Sequence, residues 1–113
     1  MRITTLTAFV AGSALFVAAS AQAQPALVAK GQALYASQKC TMCHAVAGKG
    51  NAKGPLDGVG AKYQAAELRQ WLTAPAEMAV KHSSTRKPAM RAFSKLPAED
   101  LDALVAYLQS LGK

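Results

Sequence analysis

The chain has 113 residues, with 13 Lys and Arg against 6 Asp and Glu, a formal net charge of +7 and an isoelectric point near 9.7. That length allows one domain and excludes a multidomain enzyme. A hydrophobic fraction of 51% excludes a disordered chain, a mean hydropathy of only +0.10 excludes an extended membrane protein, and two cysteines are too few for a disulfide scaffold.

The N-terminus has the three-part pattern of a secretory signal peptide. Met1 and Arg2 make a positive start, residues 6–19 are 14 uncharged apolar or small residues, and Ala21-Gln22-Ala23 is a small-x-small cleavage signal. A membrane helix needs about 18–20 apolar residues, and this run is shorter. The sequence therefore predicts a cleaved signal peptide over residues 1–23, a domain over residues 24–113, and export to the periplasm without a stable membrane anchor.

The predicted mature domain is short of large apolar side chains. Removing residues 1–23 leaves 90 residues and a net charge of +6. Of these residues 18 are alanine, and only 25 carry larger apolar side chains. A domain this small is marginal when it depends on its own side chains. The shortage predicts that a metal or a large apolar cofactor fills part of the interior.

Three segments have the apolar spacing of helices. The first covers residues 25–38, with Pro25 in its first turn. Gly31 lies in its middle, where glycine costs about 1 kcal/mol relative to alanine. A close crossing with another helix would explain it, and the alternative is a glycine that the helix simply tolerates. The second covers residues 65–73 and ends before a proline, and the third covers residues 97–111.

Long irregular stretches separate the predicted helices. Residues 45–60 hold five of the eight glycines, and residues 76–95 carry a basic run. Loops this long in so small a domain are unusual unless they wrap a ligand. No stretch is convincing as a strand, so the sequence predicts an all-α fold.

Cys40-Thr41-Met42-Cys43-His44 is a C-x-x-C-H motif, the signature of c-type haem attachment. Two thiols three positions apart can reach two vinyl groups on one porphyrin edge. The histidine that follows can turn its imidazole onto the iron. The linkage forms after export, which agrees with the predicted signal peptide. We therefore expect one haem c, bound covalently through two thioethers.

Three other uses of the cysteines fit the sequence less well. A thioredoxin-like C-x-x-C needs a βαβ setting, and no strand pattern precedes Cys40. A zinc site needs four ligands. The two cysteines with His44 and His82 would supply them, but zinc leaves the missing core volume unexplained. A disulfide between Cys40 and Cys43 would close a very short, strained loop.

With this motif and the features given below, the chain resembles the class I c-type cytochromes, which are small soluble monohaem electron carriers. The resemblance covers residues 27–111 and implies the cytochrome c fold, with three to five short helices around one haem. It implies that the N-terminal and C-terminal helices cross through a glycine and aromatic residues. Besides the attachment motif, it rests on Gly31, Tyr35, Gly54, Pro55, Leu56, Gly58, Val59, Gly60, Met90, Phe93, Leu104, Tyr107 and Leu108.

A haem carrier needs a second axial ligand, usually a methionine sulfur or an imidazole. Met90, followed by Phe93, resembles the methionine loop of the family, although Arg91 stands where family members often have proline. Met78 is an alternative whose ordinary role is core packing. His82 is another, and a lone histidine of this kind is more often a solvated loop residue.

The predicted iron ligands are therefore His44 and Met90, and the resemblance implies their surroundings. The backbone carbonyl of Pro55 is expected to accept the second ring N–H of His44, because a metal-bound histidine usually donates that proton. Either Trp71 or Tyr63 is expected to bond a haem propionate. The side chains expected to wall the haem are Leu56, Tyr63, Leu68, Trp71 and Phe93.

With both axial positions filled, no coordination position is open, which argues against oxygen binding and peroxide chemistry. The sequence predicts a non-enzymatic periplasmic carrier of single electrons in a respiratory or dehydrogenase chain. One alternative is a haem subunit of a periplasmic dehydrogenase complex. Another is a haem enzyme or gas sensor in which Met90 is displaced.

The basic residues mostly flank the predicted haem-binding loops, whereas Glu99, Asp100 and Asp102 lie on the last helix. Export and the lack of a single basic helix face argue against nucleic acid as the partner. We expect a positive ring around the exposed haem edge of a monomer, which steers acidic redox proteins, both donor and acceptor, into contact.

Overall fold

A computed structural model describes the backbone of residues 17–112 and the side chains of residues 24–112. Within this part of the chain, five α-helices account for most of the regular structure. This arrangement confirms the predicted all-α class. The helices are α1 Val17–Ser37, α2 Val59–Lys62, α3 Ala65–Thr73, α4 Pro75–Lys81 and α5 Ala98–Ser110.

The first helix begins earlier than the sequence predicted. It starts at Val17 rather than at Pro25, which lies inside it. The alanines before Pro25 have the highest helix propensity of any residue, and they continue the helix toward the N-terminus. The predicted signal peptide lies largely on residues 1–16, outside the described residues. Over residues 17–112, no helix combines the length and the apolar character needed to cross a membrane.

The second predicted helix is confirmed as α3, with the bounds that the apolar spacing indicated. A capping box stabilises its start, because the side chain of Gln64 accepts from the backbone at Glu67 and the Glu67 carboxylate accepts the Gln64 N–H. Pro75 ends α3 and also occupies the first turn of α4, where its missing N–H costs nothing. The expectation that residues 76–95 are irregular was therefore wrong for residues 76–81.

A small hairpin was also missed. Strand β1, Ala45–Val46, pairs antiparallel with β2, Lys49–Gly50. Two residues are too few to carry the alternation that identifies a strand. The connecting turn has positive φ at both central residues, and one of them is Ala47 with φ 50°, in a position where asparagine, aspartate or glycine is the usual signal.

The helices α1 and α5 cross with their backbones in close contact. A β-carbon at Gly31 would overlap the backbone carbonyl of Ala103 on α5 and the side chain of Tyr107. Four residues along α1, the Tyr35 ring packs against the Tyr107 ring with 5.4 Å between their centroids. The predicted crossing through a glycine and aromatic residues is thus confirmed.

The core is built around this crossing. Helix α3 packs against α5, and half-buried side chains of the loops, Leu56, Met90 and Phe93 among them, pack against the same cluster. The loops are therefore positioned by the core that they partly cover. The buried members of the cluster are Tyr35, Leu68, Leu72, Leu101, Leu104, Val105, Tyr107 and Leu108.

The closeness of the crossing leads to a stability prediction. Gly31→Val should lower the free energy of unfolding by about 1–3 kcal/mol, because the added side chain overpacks the crossing. Ala33→Val is the matched control, since Ala33 is exposed on the same helix and its variant loses only helix propensity. Denaturant unfolding of the haem-containing protein measures both. Equal midpoints for the two variants would contradict the close crossing.

Candidate functional site

A cavity of about 480 Å³ opens beside the core. Its volume lies within the roughly 300–1,000 Å³ of typical ligand and cofactor sites. Three parts of the chain line it: residues 38–44, side chains between residues 59 and 79, and side chains between residues 84 and 93. The irregular stretches on either side of α2–α4 therefore meet around one space.

The cavity brings together eight of the ten residues that the sequence analysis assigned to the haem site. Two do not line it. Leu56 is half-buried and packs against the core cluster, and Pro55 is exposed. The eight that line it are Cys40, Cys43, His44, Tyr63, Leu68, Trp71, Met90 and Phe93.

The attachment motif folds as a tight turn after α1. Lys39 ends the helical path in the left-handed region, with φ 59°, and residues 40–42 form one turn of 3₁₀-helix. The N–H of His44 donates to the carbonyl oxygen of Cys40 at 2.9 Å, which closes the turn. Both thiols are free, Cys40 half-buried and Cys43 exposed, and both border the cavity. Burial raises the pKa of the Cys40 thiol, and the charge of Arg91 opposes that rise.

The acceptor for the His44 ring differs from the expected one. His44 Nδ1 lies 3.0 Å from the carbonyl oxygen of Gly54, so the assignment of the Pro55 carbonyl was wrong by one residue. Ala45 and Pro55 form a parallel bridge, in which the Ala45 N–H donates to Gly54 and the Leu56 N–H donates to Ala45. Because the bridge uses the groups on either side of Pro55, it is the Gly54 carbonyl that faces the motif.

This hydrogen bond fixes the proton of the imidazole. A carbonyl only accepts, so the contact requires the proton on Nδ1 and leaves a lone pair on Nε2 of His44. Burial lowers the pKa of His44, the hydrogen bond to Gly54 raises it, and the Arg86 charge lowers it. The site therefore favours the neutral imidazole, which is the form that binds metals.

The three candidates for the second axial ligand lie in different places. Met90 lines the cavity. Met78 is buried within α4 and is not part of the lining. The ring of His82 stacks on Trp71, with 5.6 Å between centroids, and His82 also lies outside the lining. Of the three candidates, Met90 is therefore the one whose side chain borders the cavity.

Two observations test whether haem suits this cavity. The Nε1–H of Trp71 is buried and has no hydrogen-bond partner among the described residues. A buried indole N–H normally finds an acceptor, and a haem propionate would be one. The wall also pairs two free thiols with one histidine in the required order. Over residues 24–112, no group of three or more His, Cys, Asp or Glu side chains is placed to hold a metal ion.

The rim of the cavity is cationic, and two of its contacts were not foreseen. Arg86 Nη2 donates to the Cys43 carbonyl oxygen at 2.8 Å, and Arg91 Nη2 donates to the Gln38 carbonyl oxygen at 2.7 Å. With Lys39, these arginines line the cavity. The substitution of arginine for the usual proline after Met90 was visible in the sequence, but its acceptor lies 53 residues away.

The fold and the cavity are those of a small helical protein with space for a cofactor beside its core. The pattern that characterises the family described as Cytochrome c matches residues 28–112. The match covers about three quarters of the chain, and the chain belongs to the cytochrome c family. Members of this family are generally electron carriers rather than enzymes. Searches of curated proteins and of solved structures found no match.

Proposed function

We propose that the protein is a periplasmic carrier of single electrons. Its one haem is bound through thioethers to Cys40 and Cys43 and is ligated by His44 and Met90. The observation that carries the proposal is that these four side chains line one cavity. The same wall holds the unpartnered indole N–H of Trp71, which supports a propionate nearby.

The bound haem supplies an iron that gains and loses one electron, and the protein sets the conditions for that change. Gly54 holds the His44 ring with Nε2 free to donate. The Met90 thioether is a soft donor, which favours the reduced iron and raises the reduction potential. Apolar side chains such as Leu68 and Phe93 keep water from the cavity, so little solvent has to reorganise when the charge changes.

The proposed location follows from the chemistry of attachment. Thioether formation occurs after export, and the N-terminal pattern over residues 1–23 is that of a cleaved signal. The proposed partners are acidic redox proteins, one a donor and one an acceptor, in a respiratory or dehydrogenase chain. The cationic rim formed by Lys39, Arg86 and Arg91 supports this choice, because opposite charge speeds encounter.

Covalent attachment predicts that haem stays with the polypeptide during acid–acetone extraction. Replacing both Cys40 and Cys43 with serine should leave little folded, haem-containing protein, because the remaining core is thin. Met42→Leu is the matched control, since Met42 lies between the cysteines, is exposed and forms no thioether. The measurement is the visible spectrum of pellet and supernatant. Release of haem from the native protein would contradict the attachment.

Methionine ligation predicts a methionine-to-iron charge-transfer band in the oxidised protein. Met90→Leu should abolish the band, lower the reduction potential and let added ligands bind the iron. Met78→Leu, a change of similar volume, should keep the band and cost less than about 1.5 kcal/mol of stability. If Met78→Leu abolishes the band and Met90→Leu does not, the assignment is wrong. Ready binding of added ligands to the native protein would favour a gas sensor instead.

Steering by the rim predicts an association rate that falls as salt rises, since the Debye length shrinks from ~30 Å at 0.01 M to ~10 Å at 0.1 M. Lys39→Asn, which suits the left-handed backbone there, should slow electron transfer at low salt. Lys87→Gln should do the same, because Lys87 is exposed between Arg86 and Pro88, which both line the cavity. Lys30→Gln is the control. It removes the same charge from a residue that lies outside the cavity lining and pairs with Asp100 on α5.

Stopped-flow oxidation by an acidic redox protein across ionic strengths measures these rates. The spectra and potentials of the three variants should match those of the native protein. A rate independent of salt, or equal slowing in all three, would mean that the positive charge does not direct docking.

A further inference from the structure

The segment that carries Met90 lacks backbone hydrogen bonds of its own. We call residues 86–93 the methionine segment. Between Ser84 and Phe93, no N–H donates to a backbone carbonyl of the described chain, and no carbonyl of residues 85–92 accepts from a backbone N–H. The next tie is at the end of the segment, where the Phe93 N–H donates to the Leu72 carbonyl oxygen at 2.7 Å. Something other than backbone hydrogen bonding must hold residues 86–92, which precede Phe93 in the segment.

Two arginine side chains supply the missing ties. Arg86, at the start of the methionine segment, donates to the Cys43 carbonyl at 2.8 Å. Arg91, directly after Met90, donates to the Gln38 carbonyl at 2.7 Å. Both acceptors belong to residues 38–44, which contain the attachment cysteines and His44. The arginines therefore link the segment that bears one predicted iron ligand to the segment that bears the other.

The surroundings of both arginines suit a fixed position. At Gly54 a β-carbon would overlap the Arg86 guanidinium, so the glycine leaves room for that side chain. The Arg91 guanidinium also lies over the Phe93 ring, 4.8 Å from its centroid, in a cation–π contact. Each arginine thus has a charged hydrogen bond to a carbonyl and a close packing contact.

We propose that Arg86 and Arg91 are positioning residues that fasten the methionine segment at both ends and keep Met90 on the iron. This inference rests on the proposed function, specifically on ligation by Met90. A proline after the methionine would stiffen the backbone. Here the side-chain contact of Arg91 restricts the backbone instead. The two ties restrict how far the segment can swing away from the cavity, because only residues 87–90 lie between the two arginines.

The expected size of the effect follows from the strength of such bonds. Added ligands reach the iron when the methionine segment opens, so their apparent affinity rises in proportion to the open fraction. A hydrogen bond to a charged donor is worth enough to change that fraction roughly tenfold. Losing either arginine should therefore raise the apparent affinity for a small ligand by about tenfold.

The test is a titration of the oxidised, haem-containing protein with imidazole, followed by the shift of the Soret band in every variant and, where Met90 is present, by the loss of the methionine charge-transfer band. Arg91→Ala and Arg86→Ala should each bind imidazole roughly tenfold more tightly than the native protein. Both side chains are exposed, so their removal leaves the core intact. Arg69→Ala is the control, because Arg69 bonds Asp102 on α5 and lies outside the cavity lining. Its affinity should match that of the native protein.

A second arm separates fastening from simple charge. At 1 M salt the Debye length is ~3 Å, so an effect of charge on the iron would disappear while the loss of a fastening contact would persist. An increase that vanishes in high salt, or one below twofold, would overturn the inference. So would an equal increase in Arg69→Ala. Met90→Leu distinguishes this failure from failure of the proposed function: if it raises the affinity while the arginine variants do not, ligation stands and fastening falls.

Discussion

The direct backbone contact of α1 with α5 at Gly31 is the constraint on which the rest of the structure depends. Because no side chain separates the helices there, the C-terminal end of α1 has little freedom relative to α5. The attachment turn follows that end within three residues. The Tyr35–Tyr107 contact extends the same interface toward the turn. The position of both cysteines therefore depends on this crossing, and Cys40 packs against the core cluster that contains Tyr35 and Tyr107.

The cavity follows from what the core lacks. A domain with few large apolar residues cannot close its own interior, and its long loops stay around a space instead of collapsing into it. Burying a large apolar cofactor there adds the contacts that the side chains do not supply. The same space leaves the Trp71 indole N–H without an acceptor in the described part of the chain. Stability and function thus draw on one feature, the incomplete core.

The sequence predicted the parts of this site that depend on local chemistry. The glycine within α1 and the bounds of α3 are short-range signals, and the structure agrees with both. The C-x-x-C-H motif is another such signal, and the structure places it in the wall of the cavity. Hydrogen bonds between residues far apart in the chain could not be predicted from the sequence. The choice of the Gly54 carbonyl over its neighbour depends on a parallel bridge to Ala45, and a bridge leaves no periodic pattern.

The helix after Pro75 was not predicted for a related reason. A proline such as Pro75 can end one helix and can also begin the next, and the local sequence is the same in both cases. Tertiary packing decides whether the second helix forms. In the structure Met78 lies on α4 and its side chain is buried in the core. This burial stabilises a second helix where the sequence indicated a loop. The contacts of Arg86 and Arg91 were hidden because their acceptors are backbone carbonyls, which every residue possesses.

Gly54 serves both sides of the proposed iron site. Its carbonyl orients the His44 ring, and its missing side chain admits the Arg86 guanidinium. A side chain at this position would overlap the Arg86 guanidinium and also the Cys43 carbonyl oxygen that the guanidinium bonds. Any residue larger than glycine would therefore disturb the histidine side and the methionine side of the proposed site together, although the two lie far apart in sequence.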